Sequence, residues 1–173
     1  LAGITDVPRV KSEASEEKND KIKLVAEQGT INILNAINDK CKIILPSTHV
    51  VYEGIENVKN NILEEEETKP VLSYAVSKDI NEKQLKESGK NYVILRLGSV
   101  YGYSTDTARI DIMPNLFSKI TSQNGTLKLF AAGKQVKSLV PLIDVARCFK
   151  FIEEREDINS ELFNLTQDTV TVK

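Results

Sequence analysis

Tyr74 and Lys78 stand four residues apart in Ser73-Tyr74-Ala75-Val76-Ser77-Lys78, a segment that reads as helix. At that spacing a phenol and an ammonium project from one helix face. A Tyr ionises near pH 10 in water, so a base working at neutral pH needs a shift of about 3 units, roughly 4 kcal/mol in favour of the phenolate. A neighbouring ammonium supplies part of it. Taken alone, the pair is equally a solvated helix-surface pair. Upstream, Ile43-Ile44-Leu45-Pro46-Ser47-Thr48 reads as a buried strand ending on two hydroxyls and running into Val51-Tyr52-Glu53-Gly54. Strand, hydroxyl and Tyr-x-x-x-Lys helix together assemble a hydrogen-bond donor, a base and a cation.

The elements that must position these groups follow from pattern. Lys42 to Ser47 is short and continuously apolar, as a parallel strand covered on both faces should be. Open α/β sheets place ligands at the carboxyl ends of such strands. Pro70 precedes Tyr74 by one turn, a place it tolerates at a helix start, and the helix is expected to run from Leu72 to Ser88 with Gly89 as its stop. Before the strand, apolar residues recur at helical intervals from Lys21 to Asn38, with Asn19 or Asp20 as the cap, while Lys11 to Asp20 reads as a solvated loop. Glu64-Glu65-Glu66-Glu67 is a like-charge run expected in a solvated loop; a metal site is the sharper alternative. Further on, the pattern predicts a strand at Asn91–Leu97, a helix at Ile112–Ser122, a strand at Leu127–Phe130 and a turn at Gly133–Gln135. A helix from Asp144 to Glu154, capped by Asp144, and a strand at Leu162–Leu165 complete it.

With 173 residues, 40% hydrophobic and 28% charged, the chain has the composition of an ordinary soluble globular protein. A formal net charge of -2 gives no electrostatic reason to expect nucleic acid or an anionic membrane as partner. No apolar run reaches the ~20 residues that span a bilayer. Cys41 and Cys148 lack metal spacing and read as unpaired thiols of a reducing cytosol. His49, the single His, reads as a surface or satisfied residue rather than a base. The chain opens on Leu1 and ends on Thr169–Lys173 as a new element begins, so it is expected to be an internal portion of a longer enzyme.

The strand with Ser47 and Thr48, the Tyr74/Lys78 helix, and Arg96-Leu97-Gly98-Ser99-Val100-Tyr101-Gly102 together resemble the extended short-chain dehydrogenase/reductase family. These are NAD-dependent epimerases and dehydratases acting on nucleotide sugars. Val136 to Ala146 is similar to another motif of that family, with Lys137 where Arg usually grips the diphosphate and Ser138 where Asp follows. Ser99 stands in place of the common Asn, and Ala26 in place of an Asn four residues before Thr30.

The resemblance implies an α/β fold, part of a doubly wound (Rossmann-like) parallel sheet with a small carboxyl-terminal substrate-binding portion. Residues 1–102 would be the dinucleotide side with the catalytic groups, and 103–173 mainly the substrate side. It implies Thr48, Tyr74 and Lys78 as catalytic residues. Leu1, Ala2, Ser47, Tyr74, Lys78, Leu97 and Val100 would line the cofactor, and Thr48, Ser99, Asp111, Phe130 and Lys137 the substrate. NAD or NADP is the implied cofactor, NAD favoured, with no metal. A nucleotide sugar is the implied partner, and the two long helices would pair in a cytoplasmic homodimer. Sugar dehydratases of the family carry Asp-Glu directly after the catalytic Thr; His49-Val50 here disfavours that reaction. A nucleotide-sugar epimerase is the leading expectation, with a ketoreductase or a catalytically decayed dinucleotide-binding protein as alternatives. None of the eight Gly forms a G-x-x-G-x-x-G or G-x-G-x-x-G loop, so the phosphate clamp is expected upstream of Leu1.

Overall fold

The structure is a computed structural model that describes residues 16–57, 59, 61–104 and 109–173. The chain divides into two compact units, one running to Arg96 and including Glu156–Phe163, the other comprising Leu97–Arg155 and Asn164–Lys173.

In the first unit, helix α1 (Glu16–Ala36) leads to strand β1 (Lys42–Thr48), a 3-10 turn at His49–Tyr52, helix α2 (Ser73–Glu87) and strand β2 (Asn91–Leu97). Strands β1 and β2 are neighbours in a three-stranded sheet of order β1-β2-β5, where β5 is Glu161–Leu165. Two adjacent strands joined through a helix form the βαβ crossover of a parallel sheet. The middle strand shows it: Val93, Ile94, Leu95 and Arg96 are all buried, a run that a half-solvated strand would interrupt. β1, by contrast, lies at the edge of the described sheet, and its Ile43, Ile44 and Leu45 are only half-buried rather than covered on both faces.

α1 begins at least five residues earlier than its apolar stripe predicts, so the expected loop up to Asp20 is helical from Glu16, and Asn19 and Asp20 lie inside the helix rather than capping it. Glu and Lys are strong helix formers, and helix can extend past its apolar face on propensity alone. α2 ends where expected: Gly89 follows at φ +70°, the left-handed conformation that closes a helix at little cost for Gly. Its start is capped from a distance, because Glu53 accepts from the backbone N–H groups of Val71 at 2.8 Å and Leu72 at 2.5 Å. A carboxylate there also meets the positive end of the helix dipole.

In the second unit, strand β3 (Ser99–Tyr101) runs parallel to β4 (Val136–Pro141), with Ser99 opposite Leu139 and Tyr101 opposite Pro141. β4 pairs antiparallel with β6 (Asp168–Thr171), from Val136 opposite Thr171 to Leu139 opposite Asp168. Helices α3 (Met113–Ser122) and α4 (Leu142–Glu153) complete it. The strand expected at Leu127–Phe130 does not form: Leu127–Leu129 are irregular and Phe130–Gly133 is a 3-10 turn. No neighbouring strand pairs with it among the described residues, and Ala132 at φ +52° and Gly133 at φ +74° bend the chain away from extension. Asp144 is not the cap of α4 either, since that helix starts at Leu142 after Pro141. Asp144 sits in the first turn and pairs with Arg147 at 3.0 Å.

Candidate functional site

The hydroxyl of Thr48 closes β1, and the Lys78 ammonium of α2 reaches the same strand end. Thr48 is the last residue of the strand and the cap of the following turn, where its Oγ1 accepts from the Val50 N–H at 3.3 Å. That bond occupies a lone pair, and the hydroxyl proton stays a donor. On α2, Tyr74 and Lys78 share a face, with the Lys78 Nζ 6.0 Å from the centre of the Tyr74 ring. The ammonium donates to the Pro46 carbonyl at 2.8 Å, which brings it two residues from Thr48. Burial drives the Lys78 pKa below its ordinary value of 10.5, and the Glu82 carboxylate opposes the shift without overcoming it. A nearby ammonium favours a phenolate by its charge, whereas burial works against it. Tyr74, Ser77 and Lys78 also line a cavity of about 270 Å³ between α1, β1 and α2, and the buried Ser77 hydroxyl there has no hydrogen-bond partner among the described residues.

Beneath this group lies a buried ion pair. Arg96 on β2 donates from Nε to both oxygens of Glu82 at 3.1 and 3.2 Å and from Nη2 to Oε2 at 2.7 Å. Its Nη1 donates to the Tyr52 hydroxyl and, at 3.2 Å, to the Glu64 carbonyl. Burial opposes the Arg96 charge, but Glu82 and then Tyr52 hold its pKa above the ordinary value. The Ser47 hydroxyl donates to Glu82 Oε1 at 2.5 Å, so the side chain expected beside the cofactor is engaged with α2.

Glu82 did not stand out by motif, and Arg96 and Tyr52 lay within the quoted stretches without a role of their own. The legible signal was Arg96 itself, a charge inside the apolar run Tyr92-Val93-Ile94-Leu95, which demands a buried partner. Glu82 lies one turn beyond Lys78 on the same face. α1 and α2 are also joined by side chains, Asn81 donating to the Ala26 carbonyl at 3.0 Å and Gln84 to the Glu27 carbonyl at 3.3 Å.

The remaining expected residues fall elsewhere. Leu1 and Ala2 lie outside the described residues. Leu97, Ser99, Val100, Asp111, Phe130 and Lys137 belong to the second unit. There Ser99 is on β3, Lys137 on β4 opposite Val170, and Asp111 in a turn, paired with Arg109 at 3.0 Å. Phe130 is 82% exposed. Among the described residues no cluster of three or more His, Cys, Asp or Glu could hold a metal ion, and no helix is long and apolar enough to cross a membrane. Cys41 and Cys148 are both free thiols, and burial raises the Cys148 pKa.

Residues 10–166 match the NAD dependent epimerase/dehydratase family. No curated protein matches the chain. Among solved structures, the chain is similar to a UDP-glucose 4-epimerase from Thermotoga maritima bound to UDP-glucose, with TM-score 0.80 and 24% identity over 99% of this chain and 56% of that one. A UDP-N-acetylglucosamine 4-epimerase from Methanobrevibacter ruminantium gives TM-score 0.80 and 23% identity over 99% and 55%. A UDP-glucuronic acid 4-epimerase from Bacillus cereus, bound to UDP-glucuronic acid and NAD, gives 0.78 and 22% over 95% and 53%. These likenesses show the Rossmann-like fold, and the chain spans about half the length of the structures it matches.

Proposed function

The chain belongs to the NAD dependent epimerase/dehydratase family, and from that membership we propose that its full-length protein is a nucleotide-sugar epimerase using NAD. What supports this is the Lys78 ammonium anchored on Pro46, at the end of the strand that Thr48 closes, with Tyr74 one turn before Lys78 on the same helix face. The donor set suits the nicotinamide end of a dinucleotide, because an ammonium and hydroxyls match ribose hydroxyls and a reacting carbon–oxygen pair. NAD, when bound, supplies the hydride acceptor for the sugar carbon. Tyr74, as phenolate, takes the proton of the sugar hydroxyl, and Thr48 donates a hydrogen bond to the same oxygen. Lys78 holds the ribose and favours the phenolate electrostatically.

In this assignment residues 1–102 serve the dinucleotide and 103–173 mainly the sugar nucleotide. Ser99 and Lys137 offer a hydroxyl and a charge to the diphosphate, Lys137 as a point charge rather than a bidentate fork. Cytoplasmic placement and a homodimer belong to the same proposal. α1 supports the dimer by leaving Leu24, Val25, Ile31 and Ile33 exposed, and sedimentation at micromolar concentration tests it.

The deciding experiment is Tyr74→Phe in the full-length protein. Turnover of nucleotide sugars is expected to fall by about 10²-fold or more with the fold intact. Near-parental turnover would overturn the assignment. Calorimetry with NAD and NADP decides the dinucleotide.

A further inference from the structure

Thr48 is bracketed by two anchors. One residue before it, Ser47 donates to Glu82 on α2 at 2.5 Å; four residues after it, the Tyr52 hydroxyl accepts from Arg96 on β2, whose guanidinium lies 4.9 Å from the centre of the Tyr52 ring. Glu82 and Arg96 join the two anchors through three hydrogen bonds, so an unbroken chain runs Ser47–Glu82–Arg96–Tyr52 around the turn that carries Thr48. All four residues are buried. On the same face of α2, one turn before Glu82, Lys78 is fixed to Pro46. The helix that carries Tyr74 is thereby registered against the strand end at two successive residues, Pro46 and Ser47.

Replacing a buried ion pair with apolar side chains of similar volume is often neutral or stabilising, so stability alone does not account for this network. Its geometry does something an apolar pair would not, since directional bonds fix both sides of one turn. We propose that Ser47, Glu82, Arg96 and Tyr52 form a positioning clamp that holds the Thr48 hydroxyl in register with Tyr74 and Lys78. This rests on those three groups being the reactive ones. It also gives Ser47 a role through Thr48 rather than against the cofactor.

The test uses Ser47→Ala and Tyr52→Phe, singly and together, in the full-length protein. Both leave the Glu82–Arg96 pair in place, and Tyr52→Phe keeps the ring beside the guanidinium. The clamp predicts that kcat falls about tenfold for each, toward about a hundredfold together, since misplacement by about 1 Å costs on that order. KM for the nucleotide sugar and Kd for the dinucleotide stay within about twofold, and Ser47→Thr, which keeps the hydroxyl, restores turnover. Backbone amide exchange across residues 48–52 is expected to quicken by about tenfold in the double variant. Unchanged kcat in the double variant overturns the clamp, as does a loss carried by weaker dinucleotide binding, which would return Ser47 to the cofactor. If the parent protein does not epimerise nucleotide sugars, the proposed function fails, and the exchange measurement still decides the clamp: unchanged exchange overturns it.

Discussion

In the first unit Arg96 and Glu82 are 3% and 1% exposed and bind each other, Ser47 and Tyr52; in the second unit Phe130 is 82% exposed, and Asp111 is an exposed residue that pairs with its near neighbour Arg109. A charge taken out of water must be compensated when the chain folds, before any ligand arrives. Polar groups at a surface carry no such demand. On the proposed assignment, the groups that move the proton would sit beside a network ordered on folding, where fixed dipoles contribute most to a transition state. On the same assignment, exposed groups such as Phe130 and Asp111 would gain order from a sugar nucleotide, at a cost in binding rather than in folding.

The largest test of that contrast is Arg96→Met. It leaves Glu82 buried with Ser47 and without its cation, and removing one partner of a buried pair costs about 3–5 kcal/mol. Urea unfolding of the full-length protein should show it. Adding Glu82→Leu removes the stranded charge and should recover most of the loss while turnover stays low, because stability and positioning part company there. A loss under about 1 kcal/mol for Arg96→Met would mean that water or another cation reaches Glu82, and the contrast would break.

Next in size is a steric change in the second unit, where packing of backbone on backbone replaces buried charge. A Cβ on Gly98 would lie 2.9 Å from the Ser138 carbonyl oxygen and 3.2 Å from its carbon. Gly98→Ala should therefore cost about 1–3 kcal/mol. A neutral result would show that β3 and β4 separate easily.

Lys78→Met should act in the opposite sense. The folded pKa of Lys78 lies below its ordinary value of 10.5, so between the two values the unfolded chain binds more protons and stability rises with pH. Below that interval the buried ammonium is a standing cost. Replacing it by Met is expected to hold or raise Tm at neutral pH, to flatten the rise at alkaline pH, and to lower turnover by about 10²-fold or more. A lower Tm would show that the bond to Pro46 outweighs the burial.

Residues were legible in the sequence where local pattern and tertiary demand agree. The β1 hydroxyls, the Tyr74/Lys78 face and the Gly89 stop are such cases, each set by spacing or by a backbone conformation that Gly takes readily. The family motifs also led to the right fold. Long-range compensation was not legible: Glu53 caps a helix eighteen residues away, and Ser47 turns to a carboxylate thirty-five residues on. The strand expected at Leu127–Phe130 failed for a related reason, since alternation marks a strand only where a neighbour offers a ladder.

The smallest expected effect on stability is the most specific to the second unit. Phe130 has little to lose on folding, being 82% exposed at the start of a 3-10 turn. Phe130→Ser should change unfolding free energy by less than about 0.5 kcal/mol, the usual range for surface substitutions. If Phe130 stacks on the base of the sugar nucleotide, the same change removes an interaction worth about 1–3 kcal/mol, and KM rises by roughly tenfold or more while kcat holds. Differential scanning calorimetry and steady-state kinetics on one variant separate the two quantities. A marked fall in Tm would show that Phe130 is covered in the full-length protein and contributes to folding. Unchanged KM with unchanged Tm would remove Phe130 from the binding surface and leave Ser99 and Lys137 to hold the ligand.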